Sequence, residues 1–217
     1  MHAFLQRQTL RHAGLATLFT GAACLPRLLA WNHPRHTLGV LVAGLLGCAF
    51  CLWGFVFAWH EQESGRKVIL LRPRRPLWIG STATGAAAAL LAHFGLDPLA
   101  RTVDPANFPA NTTEWAAMTL FTLGFEQLFL CFAPFAFWAR LFHRVDLAFW
   151  LTLASGIGVL ALKFAAAGMT DSTLMLIVVG TGRLILSAIT LYFYLQGGLL
   201  VATWWLLLLQ SRHLLVL

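Results

Sequence analysis

Charge is scarce in this chain. Of 217 residues only 11% are Asp, Glu, Lys or Arg, and just 8 are acidic. A soluble domain carries about 25% charged residues, so a water-exposed globular domain, a disordered chain and a nucleic-acid-binding module are all excluded. Cysteine is scarce too. The 4 cysteines, Cys24, Cys48, Cys51 and Cys131, lie in apolar stretches, which excludes a disulfide framework. Cys48 and Cys51 form a CxxC without a second pair or a neighbouring histidine. They read as two small thiols packing on one helix face rather than a metal or redox site. The patterns HExxH and GxSxG and a Ser/His/Asp arrangement are absent. No metal and no cofactor is expected.

What the chain has is apolar length. It is 59% hydrophobic, with a mean hydropathy of +0.75, and holds several apolar runs of about 20 residues, each enough to cross a bilayer as a helix. Lipid offers the backbone no hydrogen-bond partner, so such runs must be helical. The expected fold is all-α, a polytopic membrane helix bundle with about seven segments: 13–30, 38–59, 77–96, 113–139, 146–168, 172–195 and 197–213. The first resembles a signal peptide, but it reads as a retained, rather short membrane helix. Gly and Ala clusters such as STATGAAAALLA and VVGTGRLILSA suit close helix packing. Of the Trp residues, Trp31, Trp59, Trp78, Trp115 and Trp138 fall near segment ends, as an aromatic belt does.

The net charge of +7 sets orientation rather than partner type. Arg7, Arg11, Arg66, Lys67, Arg72, Arg74, Arg75, Arg140 and Arg144 fall on one side of the seven-segment arrangement. The positive-inside rule makes that side cytoplasmic, with the N-terminus in and the C-terminus out. Arg66, Lys67, Arg72, Arg74 and Arg75 would meet anionic lipid headgroups. The outer loop GLDPLARTVDPANFPANTTEW has the composition of irregular structure, suited to a lid over that face.

Glu126, Lys163 and Arg183 remain inside the apolar segments. An intramembrane charge costs about 2.5–3.5 kcal/mol on insertion scales, so each is a functional candidate. Lys163 is near a helix end and can snorkel. Glu126 and Arg183 each lie roughly 17–18 Å from the outer ends of their segments, counting 1.5 Å per residue. Matched depth and opposite sign predict that they pair or share a polar cavity, with Gln127 and Cys131 beside them. Pro134 removes a backbone donor and predicts a kink in the same helix.

With Glu126 placed mid-helix, residues 113–213 resemble the CPBP family of CAAX-protease and bacteriocin-processing membrane proteins. That family carries EExxxR, FxxxH and HxxxN on separate helices, and the resemblance implies that a Glu and a His activate a water for peptide hydrolysis. EQLFLC (Glu126–Cys131) stands in place of EExxxR. Phe164–Gly168 falls where FxxxH would, and Leu206 and Gln210 fall where HxxxN would. Glu126 alone is retained from the acid–base set: Gln127, Cys131, Gly168 and Leu206 replace the second Glu, the Arg and both histidines.

The whole chain, 1–217, is therefore read as one integral membrane domain. Residues 1–112 form three N-terminal helices and an outer loop, and residues 113–213 a CPBP-like four-helix core. The expected function is that of a proteolytically inactive binding or scaffold protein in a bacterial-type inner membrane, with the lipid bilayer and another membrane protein as partners. The alternatives are an active glutamate-dependent intramembrane peptidase using Glu126, and a small transporter or accessory subunit with Glu126 and Arg183 in its pathway.

Overall fold

The computed structural model describes residues 6–65, 67–70, 72–103, 105, 108–166 and 173–217, with backbone only for 103 and 173–176. All regular structure among them is helical. Six helices are long and apolar enough to cross a membrane: α1 (Arg7–Ala30), α2 (Arg35–Ser64), α3 (Arg75–Thr102), α4 (Thr112–Phe142), α5 (Val145–Ala166) and α6 (Ile177–Leu215). Large apolar side chains point outward, among them Phe19 (77% exposed) and Phe94 (74%). Water would make such a surface costly; hydrocarbon does not.

The sixth helix is not one straight rod. Gly198 has φ 72° and ψ −173°, which no helix contains. The rings of Phe193 and Trp205 lie 6.2 Å apart, although a straight helix would separate them by about 18 Å along its axis. Packing against α3 agrees: Leu96 touches Gly182, while the adjacent Asp97 binds Arg212. The chain therefore doubles back at Gly198. A Cβ there would stand 3.1 Å from the Val68 carbonyl, and that same carbonyl accepts a 3.0 Å bond from the Leu199 N–H. Glycine is required both for the positive φ and for the close approach.

Side-chain contacts sort the helix ends. At the basic end, Glu61 accepts from Thr9 and lies 3.1 Å from His12 Nδ1. Glu63 lies 3.8 Å from both Arg140 and His143 there. At the opposite end, Arg27 meets Glu114 at 3.4 Å and Arg212 meets Asp97 at 3.2 Å. Between the ends, Leu128, Phe132, Phe135, Leu191, Tyr194, Val201 and Trp205 form the centre of the core. His60 is buried at its basic margin, with Nε2 2.7 Å from the Tyr194 hydroxyl and Nδ1 3.1 Å from Ser64.

Several expectations need correction. The first helix starts at Arg7 rather than residue 13, because Thr9 and Ala13 pack inward and extend the buried stripe. Trp59 is 6% exposed and belongs to the core rather than to an aromatic belt. Of the CxxC pair, Cys51 is exposed and does not pack. The outer connection is not wholly irregular: Asp97–Val103 is helical, running on from Leu91 through a π turn at Ala92–Leu96 in which the Asp97 N–H bonds the Ala92 carbonyl just ahead of Pro98.

Candidate functional site

The site is built on α4, whose backbone departs from the α pattern twice. Thr122–Glu126 and Leu128–Phe132 are π turns, in which the Gln127 N–H bonds the Thr122 carbonyl and the Ala133 N–H bonds the Leu128 carbonyl. Each π turn inserts one extra residue and rotates the side chains that follow; such bulges are frequent at functional sites. Pro134, which has no N–H to continue the ladder, directly follows the second. Gly124 lets α1 approach: a Cβ there would stand 3.1 Å from that of Ala23. Thr20 on α1 donates to the Gly124 carbonyl at 3.4 Å and itself accepts from Trp53 at 2.9 Å.

Glu126 and Arg183 do meet. Arg183 Nη2 donates to Glu126 Oε1 at 3.1 Å, and Thr122 Oγ1 donates to Oε2 at 2.9 Å. Both carboxylate oxygens are thus held by protein donors. The pair lines a cavity of about 630 Å³ that also has Arg27, Asp97, Lys163 and Arg212 on its walls. Lys163 therefore takes part in a cavity rather than only reaching for a headgroup.

Phe164 and Gln210 lie on the wall of the same cavity. Leu206 is 3% exposed and lies in the core, where it offers no polar group. Gly168 falls outside the described residues. Gln127 is buried but is not a wall residue, because it lies one position round the helix from Glu126. Cys131 is buried in the core and is not a wall residue, but its thiol bonds Ser187 and lies within electrostatic reach of Arg183 and Glu126.

A second polar group at the cavity mouth was not anticipated. Arg212 Nε is 3.2 Å from both oxygens of Asp97, which is only 5% exposed. His213 Nδ1 lies 4.0 Å from Asp97, too far for a hydrogen bond. Trp115 donates to the Gln210 carbonyl at 2.9 Å and marks this rim. Glu126 lies eleven residues further along α4 than Trp115, roughly 16 Å deeper. The wall histidine, His213, therefore belongs to the rim and not to Glu126.

A smaller cavity of about 270 Å³ adjoins the first. The two share Phe129, Leu130, Gly156 and Val159 as walls, and the smaller one continues along Ala133, Pro134, Phe137 and Trp138. Its lining is almost entirely apolar. Among the described residues, no cluster of His, Cys, Asp and Glu could hold a metal ion.

No family model, curated protein or solved structure matches the chain.

Proposed function

We propose that this chain is a CPBP-like integral membrane protein whose Glu126 site is proteolytically inactive and serves to bind a ligand or partner. One observation supports this above the others: Glu126 is oriented by Arg183 and Thr122, with the cavity's histidine at the rim. General-base hydrolysis needs a base aimed at a water and a donor set for the oxyanion. A carboxylate occupied by a guanidinium is better suited to shaping a polar wall. The apolar lining of the inner chamber also speaks against a solute pathway.

In this reading the bundle crosses a bacterial-type inner membrane seven times, α6 supplying two crossings. The basic end faces the cytoplasm, and Lys67, Arg72, Arg74 and Arg75, all exposed, meet anionic headgroups. Arg66, expected in the same group, lies outside the described residues. The charged cavity then opens to the outer face.

The test uses purified protein in proteoliposomes with membrane-embedded peptides, prenylated and unprenylated, sampled by mass spectrometry. No cleavage above that of empty vesicles is expected. Cleavage by the wild type that disappears in Glu126→Gln would overturn the inactive reading.

A further inference from the structure

We propose that anionic headgroups gathered by residues 67–75 hold that connection over the Gly198 reversal, so that the charge of the leaflet sets how firmly the two arms of α6 are joined. This rests on the headgroup contact named above and adds what the contact controls. Lys67, Arg72, Arg74 and Arg75 are all exposed, and none of them has an ion-pair partner among the described residues. The acidic side chains that precede them, Glu61 and Glu63, are engaged elsewhere: Glu61 with Thr9 and His12, Glu63 with Arg140 and His143. The three arginines crowd the start of α3, whose first turn holds no acidic residue and whose N-cap, Arg74, makes no side-chain cap bond. A helix start carries positive partial charge and unpaired N–H groups. The patch therefore gathers positive charge for which the described fold supplies no anion.

The backbone of the same connection bears on the reversal. The Leu199 N–H opens the second arm of α6, where an amide has no partner within its own helix. The Val68 carbonyl supplies that partner at 3.0 Å. A Cβ at Gly198 would also lie 3.4 Å from the Leu70 nitrogen and 3.3 Å from its Cγ, so residues 68–70 are packed directly on the turn. Burial alternates along them: Val68 is 5% exposed and belongs to the core, whereas Lys67 and Ile69 face outward. One face of the strip thus caps the second arm while the other meets the headgroups. Like charges crowded in one short connection repel, and a neutral leaflet leaves that repulsion acting on the strip. An anionic leaflet cancels it and draws the strip and its cap toward the same surface.

Hydrogen exchange of the Leu199 amide in lipid nanodiscs tests this. Exchange should be at least about fivefold slower in phosphatidylglycerol than in phosphatidylcholine, the factor for one basic residue at an anionic surface. The double variant Lys67→Gln with Arg72→Gln should bring that ratio toward one, and a ratio it leaves untouched overturns the proposal. Arg144→Gln, an exposed basic residue at the same end on another connection, should keep the wild-type ratio. Equal exchange of the wild type in the two lipids overturns the proposal without any variant. So does equal slowing of the Trp115 amide, which bonds the Asn111 carbonyl at the opposite end, because lipid would then act on the whole bundle. Slowing by inorganic phosphate added to phosphatidylcholine discs also overturns it, since the patch would then be a site for a small anion. Preferential retention of phosphatidylglycerol in native mass spectrometry, with no change at Leu199, would keep the headgroup contact and sink the coupling; absence of both would sink both.

Discussion

Replacing Glu126 by Gln removes a charge while keeping the shape of the side chain. In the wild type, Glu126 receives one bond from Arg183 and one from Thr122, at 3.1 and 2.9 Å. A hydrogen bond to a charged group contributes about 1.5–3 kcal/mol. The Arg183 and Glu126 side chains retain 27% and 36% exposure to the cavity, which weakens the pair toward the lower part of that range. A coupling of about 1–2 kcal/mol follows. For a chain of this size each kcal/mol moves the melting midpoint by about 2–4 °C, so Glu126→Gln should lower it by roughly 2–8 °C. The assay is thermal unfolding in one detergent of the wild type, Glu126→Gln, Arg183→Gln and the double variant, read as a double-mutant cycle. The double variant should lose less than the sum of the singles, because neither then leaves an unmatched charge in the bundle. A coupling below about 0.5 kcal/mol would mean that the two sites act independently, and the pairing argument would be refuted.

Other consequences can be checked with the same preparations. Gly198→Val forces a β-branched residue to positive φ and drives a Cβ toward the Val68 carbonyl, so a stability loss of about 1–2 kcal/mol or more is expected, read as a lowered melting midpoint. Trp205→Ala empties a fully buried position and should cost about 3–5 kcal/mol; an unchanged midpoint would place Trp205 outside the core. Asp97→Asn leaves Arg212 without its carboxylate and should cost about 1–3 kcal/mol, rescued in part by adding Arg212→Gln. The pair Gly85→Cys and Leu208→Cys should crosslink on mild oxidation, since a Cβ at 85 lies 3.0 Å from that of Leu208, close to the disulfide range of about 3.5–4.5 Å. Failure to crosslink would contradict the docking of the last arm on α3.

The sequence made some of this legible and hid the rest for physical reasons. Long apolar runs announce helices because lipid permits little else, and the break between the segments 172–195 and 197–213 falls close to the observed reversal at Gly198. Glu126 and Arg183 could be matched because helical rise turns sequence offset into depth. Asp97 and Arg212, 115 residues apart, sit at segment ends, where a charge is ordinarily assigned to water. Their pairing depends on how α3 docks against α6, which no local pattern encodes. His60 was hidden in the same way: a helix-end position that tertiary packing buries against Tyr194. The π turns around Glu126 leave no compositional mark, since any residue can bond five positions back. Cys131, expected at the polar site, lies behind the cavity wall, in the core yet within electrostatic reach of Glu126 and Arg183.

The bond between the Leu199 N–H and the Val68 carbonyl has a consequence for how the chain tolerates change in length. Surface connections normally accept insertions with little penalty. Here residues 67–70 are part of the support for the Gly198 reversal, and their spacing sets where both arms of α6 begin. An added residue at that point would move the support away from the turn, whereas one added at Asn32–His33, between α1 and α2, would be absorbed. The connection richest in exposed basic side chains is thus fixed in length by its backbone, whatever its side chains.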